Sequence, residues 1–499
     1  MKSLILGSVS ALAVLAAVPA FAQSTSAVTQ TGQKDQATVI QSGAAGTNKS
    51  TIAQDGQRNK GTVTQSSVAG GLNESTVFQT STARDSEVTI EQSGEGNTST
   101  ATQRGINGSL IDVTQNGSDN MSTVSQGVLS SNADVIVEQN GSQNTSGVEQ
   151  LGADSTVTVT QTNGTAGTKG NTSTVFQGAL DSTVTVTQNG EQNSSDVGQV
   201  ANNSSVEVDQ DGTSNQSTVD QALDDVTIDV EQDGTANISV VDQASLGSKV
   251  EVDQDGTSND SIVNQVTGGS DVDVIQKGTS NIARVSELAE QSDATINQNG
   301  TGNDAIISQA DALARTRIGS FLGRPIFVDL PVNENNSARI QQVGGNHDAN
   351  VSQYGRNQTA VLEQSGSGNT AGIRNGNVGI LQIGEEQFAK VVQQGSGNTS
   401  TVSQGAKDGA NAALTTASSS FNDAYVNQYG TNGTSSVVQN GDNSYAELNQ
   451  YGDGNRSMIE QTGTGALNKA TVTQNSDFNM SAITQNGGGH TAVVTQGTR

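Results

Sequence analysis

The chain has 499 residues with no cysteine and two histidines, which excludes disulfide staples and metal–thiolate sites and leaves zinc or triad chemistry without raw material. Fifty acidic residues against 22 basic ones give a formal net charge of −28, and with so few aromatics this disfavours a nucleic-acid partner. Hydrophobic residues make up 31% and aromatics 3%, values that would indicate disorder if the sequence had no period.

Residues 1–22 read as a secretory signal peptide. Lys2 precedes an apolar run from Leu4 to Val18, and Ala20-Phe21-Ala22 offers small residues at the cleavage positions, so cleavage before Gln23 and export through the Sec pathway are expected. The run is short for a membrane span, and nothing later approaches one. A first repeat array is expected over 23–310, starting almost at once with Val28, Gln30 and Gly32. Extra residues between Gly43 and Asn48, and in the Gly- and Thr-rich stretch from Thr162 to Gly170, are expected to loop out without disturbing it.

The period is clearest in the centre. Glutamine recurs every eleventh residue at 188, 199, 210, 221, 232, 243, 254, 265, 276, 298 and 309, with Glu287 in the one substituted place. Every second interval carries glycine two residues and asparagine five residues after the glutamine, as in Gly190/Asn193 and Gly212/Asn215, so the true period is 22. The unit reads Ser-x5-Gln-x-Gly-x2-Asn-x-(Ser/Ala)-x3-Gln. In Ser182, Val184, Val186 and Gln188, alternating with Thr183, Thr185 and Thr187, side chains repeat with the period of a strand. Asn189-Gly190-Glu191-Gln192 is expected to turn, since glycine reaches positive φ cheaply and asparagine tolerates it. A second strand then places Asn193, Ser195, Val197 and Gln199 on the inner face.

One hairpin is marginal in water, so stacking must supply the core, and a 22-residue period is the mark of a solenoid. The fold class expected is therefore all-β, a β-solenoid of stacked strand-turn-strand rungs. Roughly 21 rungs at about 4.8 Å would make a rod on the order of 100 Å. Stacking puts Ser182, Gln188, Asn193, Gln199, Ser204, Gln210, Asn215, Gln221, Gln232, Asn237, Gln243, Gln254, Asn259 and Gln265 in inward ladders whose amides bond to their own copies. Gly190, Gly212, Gly234 and Gly256 fall in the turns.

On the outer face the register aligns three acidic columns: Glu207, Asp229, Glu251 and Asp273; Asp209, Glu231 and Asp253; Asp211, Asp233 and Asp255. Carboxylates about 5 Å apart in water repel by roughly 0.8 kcal/mol. The favoured reading is a solvated face that keeps an aggregation-prone chain soluble, and the alternative is a cation-binding surface. Asp253-Gln254-Asp255-Gly256 begins like a calcium loop, but its twelfth position holds Asn264 in place of the closing glutamate. Asn-x-Ser/Thr triplets follow from the repeat itself. No cofactor, metal or catalytic residue is expected.

Residues 311–337 break the register. They contain Pro325 and Pro331 and group Arg315, Arg317, Phe321, Arg324 and Phe327, and they read as an insertion between two blocks, with a binding or anchoring loop as the functional alternative. A second array is expected over 338–499, running from Gln342 to Gln496 with outward Tyr354, Tyr429 and Tyr451, so both ends of the repeats are expected to be uncapped. His347 and His490 stand in the asparagine place of their repeats.

These spaced identities, recurring over most of residues 27–496, resemble the curlin repeat of the secreted subunits of curli-type bacterial amyloid fibres. The resemblance implies a non-enzymatic structural subunit, secreted to the exterior of a Gram-negative cell and self-assembling as a pilus-like fibre for biofilm matrix and adhesion. Implied partners are copies of itself, other curlin-like subunits or a nucleator, periplasmic chaperones and an outer-membrane secretion channel. Curlin subunits are usually far shorter and carry a channel-addressing stretch before the repeats; its near absence here leaves the export route open and allows a minor, scaffold-like or nucleating member. The alternative is a monomeric secreted solenoid, an adhesin or a cation- or ice-binding protein. A flat threonine array starts at Thr156, Thr158 and Thr160 with Thr183, Thr185 and Thr187, but is broken by Ser205, Glu207 and Asp209.

Overall fold

The computed structural model describes residues 24–43, 47–68, 71–105, 107–164, 169–309, 316–321, 324–328, 334–372, 379–405, 419–463 and 465–497. The expected signal peptide and Asp311, Arg315 and Pro331 lie outside them. Two compact units divide at Ala236 and Asn237.

Alternation of β-branched residues with polar ones makes strands that can bury one face, and among the described residues every regular element is a strand. In the first unit Thr183–Glu191 lies parallel to Ser205–Thr213 with Gln188 opposite Gln210, and Ser194–Gln199 lies parallel to Gln216–Gln221. Successive strands thus alternate between two parallel sheets whose buried faces meet, each rung giving one strand to each. Val184, Val186 and Val197 are at most 1% exposed, while Thr183 and Ser194 face solvent. The second unit is built alike, with Lys249–Thr257 beside Asp271–Thr279 and Asp260–Gln265 beside Ile282–Glu287. The fold is a β-solenoid, as the register implies.

A buried valine contributes about 1.5–3 kcal/mol, whereas ordering backbone costs about 1–2 kcal/mol per residue. The few valines of one rung cannot offset the ordering of 22 residues. Hydrogen bonds and contacts with the rungs above and below must supply the difference.

Three expectations about local geometry change. The turn after Gln188 is shorter than four residues, because the strand runs on to Glu191 and the chain reverses at Gln192, whose φ is 60°. That left-handed place takes ordinary residues, Ser214 (φ 60°) and Ala236 (φ 56°) among them, as well as asparagine, as at Asn346 (φ 55°) and Asn432 (φ 54°). Gly190 has φ 102° inside the strand and needs to be glycine for a second reason: a Cβ there would lie 2.0 Å from the carbonyl oxygen of Gly212.

The insertion does not interrupt the stack. Asp293–Thr301 pairs directly with Ser337–Gly345, and Asp304–Gln309 with the first residues of Asp348–Arg356, a register step of 44 residues where neighbouring rungs step by 22. Within the segment, Thr316–Phe321 and Arg324–Val328 form an antiparallel hairpin with an irregularity between Arg317 and Gly319. Rung structure resumes before residue 337: Asn336 is 1% exposed, and its backbone N–H donates to Ser292 Oγ at 3.0 Å. The longer turn after Gln161 is likewise bridged, Gln161 reaching Gln188 across 27 residues at 2.8 Å.

Candidate functional site: the stacked amide columns

Each inward glutamine is held by the strand whose alternation turns it to the core, and there its amide has four hydrogen-bonding places to fill. In the first unit, Nε2 of Gln188 donates to Gln210 Oε1 at 2.8 Å, and Gln210 to Gln232 at 2.7 Å. The other sheet carries its own column, Gln177 to Gln199 at 3.0 Å and Gln199 to Gln221 at 2.9 Å. In the second unit Gln254 donates to Gln276 at 2.8 Å and Gln243 to Gln265 at 2.6 Å.

The second amide hydrogen crosses the core. Nε2 of Gln188 also reaches Thr172 O at 2.9 Å, that of Gln210 reaches Ser194 O at 3.0 Å, and that of Gln254 reaches Ile238 O at 2.8 Å. Gln232 does the same with Gln216 O at 3.0 Å, and Gln265 with Ser270 O at 2.8 Å. Within each unit these bonds give the columns one direction, from the amide nitrogen of one rung to the amide oxygen of the next along the chain. Turning an amide over would set its oxygen against a carbonyl oxygen.

Asparagine forms the expected amide-on-amide bond in places, as where Asn281 Nδ2 donates to Asn259 Oδ1 at 3.1 Å, but it also bonds the backbone. Oδ1 of Asn171 accepts from the backbone N–H of Asn193 at 3.0 Å, and Asn193 Oδ1 accepts from that of Asn215 at 3.0 Å. Nδ2 of Asn193 donates to Asn189 O at 3.0 Å and Gly212 O at 3.1 Å, and Nδ2 of Asn215 donates to Asp211 O at 3.1 Å. Asn237 and Asn259 repeat the pattern, with Asn237 Oδ1 accepting from Asn259 N at 3.0 Å and Asn259 Nδ2 reaching Gly278 O at 3.3 Å. The short side chain is the right length to satisfy the turn's own backbone. His347 does this with a ring: Nδ1 accepts from Asn369 N at 3.3 Å while Nε2 donates to Val343 O at 3.1 Å. Burial lowers its pKa, which keeps the ring neutral for both roles.

Serine has two environments. Oγ of Ser182 accepts from Ser204 N at 3.2 Å and that of Ser204 from Val226 N at 3.1 Å, so this column ties the second turn. The hydroxyls of Ser173, Ser195 and Ser217 are buried without a partner, and Ala283 and Ala305 fill the same place elsewhere, so small size is what that place requires.

On the outer face the first unit brings Glu207 opposite Asp229, Asp209 opposite Glu231 and Asp211 opposite Asp233, and the second brings Glu251 opposite Asp273. Partial burial, then Asp233, Asp211, Glu207 and Asp229, raise the pKa of Asp209; burial and then Glu251 raise that of Asp273. Two lysines temper the second unit: Lys249 lies 2.5 Å from Glu251, and Lys277, standing opposite Asp255, lies 3.5 Å from Asp253. Sequence reading passed over both. Among the described residues no group of three or more His, Asp or Glu is arranged to hold a metal ion, and no helix is long and apolar enough to cross a membrane.

Because the folded state holds the Asp209 proton more tightly than the unfolded chain, ionising it opposes folding. The favourable contribution is complete below the usual carboxylate range and is lost as pH rises through the raised value. Changing Asp209 to Asn together with Glu231 to Gln is therefore expected to raise the urea midpoint at neutral pH and low ionic strength, and to change it little near pH 3. An unchanged midpoint at both pH values would show that the columns cost nothing.

Aromatic rings also align across rungs. Tyr429 stacks on Tyr451 with centroids 5.2 Å apart and planes 6° from parallel, while Phe388, Tyr425 and Tyr445 follow one another at 5.2 and 5.7 Å, ending under Lys469. Tyr354 and Tyr429 are half-buried rather than free on the surface.

Four stretches, residues 131–162, 181–212, 348–374 and 441–475, match the family model of the curlin associated repeat. No curated protein sequence is significantly similar to the chain.

Proposed function

From the four stretches that match the curlin associated repeat we propose that the chain is a curlin-repeat protein and a structural subunit of extracellular, curli-like amyloid fibres that self-assembles by rung stacking. The observation that carries this reading is the common direction of the amide columns. A column in which every Nε2 donates to the next Oε1 offers oxygens at one end and N–H groups at the other. Two copies can therefore continue each other's columns head to tail but not head to head, a heterologous contact that builds filaments. Among the described residues Thr25–Gln30 pairs only with Lys49–Gln54, and Thr491–Gln496 only with Asn468–Gln474, so the other edge of each would be open to a second copy. A fibre role for biofilm and adhesion, secretion past periplasmic chaperones through an outer-membrane channel, and a nucleator partner follow from the family likeness. The boundaries at 22/23 and 310/311 remain part of the proposal as segments of the chain.

Purified chain without residues 1–22 is expected to form unbranched fibres that bind thioflavin and diffract near 4.8 Å and about 10 Å. Material that stays folded and monomeric for days at high concentration would defeat the proposal and favour a solenoid acting alone.

A further inference from the structure

One column contains a group that cannot pass the hydrogen bond on. In the second unit the sequence of donations runs from Gln243 to Gln265 at 2.6 Å, then from Gln309 to Gln353 at 2.8 Å and onward to Gln382 at 2.8 Å. Between them stands Glu287, in register with Gln265 on one side and Gln309 on the other, and 0% exposed. Gln265 Nε2 still donates to Glu287 Oε2, although at 3.4 Å. The far side differs. Glu287 Oε1 and Gln309 Oε1, on residues in register, are both buried and both lack a hydrogen-bond partner, which leaves two acceptors of adjacent rungs without a hydrogen. Gln309 cannot relieve this by turning over, because its Nε2 is engaged by Asp293 O at 3.3 Å and by Gln353.

We propose that Glu287 is a proton-operated link in this column: with a hydrogen on Oε1 it donates to Gln309 Oε1 and closes the column, and without it the column is open between those two rungs. Along the axis a carboxylic acid offers one acceptor and one donor, as the glutamine amide does, and it lacks only the second amide hydrogen that crosses the core. On ionisation the proton goes to solvent and a carboxylate is left in the core, where an unpaired charge is expensive.

The surroundings favour the neutral form. The packed elements carry Arg284 on the same strand, Asp260 and Asp304 on the flanking strands, and Asp271, Asp273, Lys277, Glu290 and Asp293 on the facing sheet and turn. The two cations are engaged elsewhere, Arg284 with Asp304 at 3.6 Å and Lys277 with Asp253 at 3.5 Å. Burial holds the Glu287 carboxyl well above the usual glutamate range, and Asp293 and Asp271 push the same way, against hydrogen bonds from Ser270 and Gln265. A carboxyl raised on folding stabilises fully below its unfolded pKa and loses that contribution as pH rises through the folded value. The link is closed in acid and opens on the alkaline side.

Hydrogen exchange over the pH range from about 5 to about 9, corrected for intrinsic rates, tests this on the full mature chain. In the parent, protection of Asp260–Gln265, Ile282–Glu287 and Asp304–Gln309 is expected to fall about tenfold for each pH unit above the Glu287 pKa, while distant rungs of the same unit keep theirs. Glu287→Gln, which restores the repeat's own residue, is expected to abolish that fall; Glu290→Gln, on the neighbouring turn, is expected to preserve it. An infrared carboxylic-acid band present in the parent at pH 6 and absent from Glu287→Gln would identify the proton directly. Equal protection of parent and Glu287→Gln at pH 9, or lower protection in the variant, would overturn the proposal, as would absence of the band.

Discussion

Replacing Gly212 with alanine is expected to cost about 3 kcal/mol or more, among the largest effects available to a one-carbon change in this chain. Gly212 has φ 117°, which an L residue rarely adopts, and a Cβ there would sit 2.0 Å from Gly234 O. The obstacle is backbone of the next rung, so a rotamer change cannot relieve it; the two strands must separate, and the hydrogen bonds around the Gly column go with them. Gly147→Ala is the matched control, because that glycine has negative φ, lies in a strand, and would find nothing within 4 Å of its new Cβ. It is expected to be neutral or stabilising by up to about 1 kcal/mol. Chemical denaturation of both variants checks the contrast, and a Gly212→Ala loss no greater than that of Gly147→Ala would mean the glycine column has no steric role.

That glycine shows where sequence reasoning stops. A recurring Gly after Gln signals a positive φ, and the residue pattern alone suggests a turn. The requirement for a bare Cα comes from the rung stacked upon it, and contact between copies leaves no local trace. The strands and their facing were legible because period-two alternation is a property of a single strand, and the 22-residue register carried the parallel stacking. Register could not show that Asp304–Gln309 skips the insertion and pairs with Gln353 and its neighbours, since either a break or a bridge would shift the count equally. Glutamine and asparagine look alike as amides in a repeat. One methylene decides that Gln188 reaches another side chain whereas Asn193 serves the backbone of its own turn. Glu287 stood out in the sequence as the single replacement in the central glutamine register, but the facing Oε1 of Gln309 is visible only in the packed core.

Removing the amides of one rung should cost still more than the glycine change. With Gln188, Asn193 and Gln199 all replaced by alanine, Gln161 loses the acceptor of its Nε2, Gln210 loses its donor, and the backbone N–H of Asn215 loses Asn193 Oδ1. Gln177 and Gln221 are orphaned in the same way on the other sheet. Each unmet buried group costs about 1–3 kcal/mol, so the three substitutions together are expected to cost on the order of 5 kcal/mol before any contribution from the space vacated. Solvent can enter that space and satisfy some of the orphans, which is why the sum is not taken at its upper limit. Alanine at Thr183 and Ser194, the exposed neighbours on the same two strands, removes only outward side chains and should stay within about 0.5 kcal/mol. The comparison is made by urea unfolding and by the lag of fibre formation, in which the triple variant should be slower because a broken column offers the next copy a weaker template. Similar losses from the inward and outward sets would show that the columns do not hold the rungs together, and would remove the physical ground for assembly by stacking.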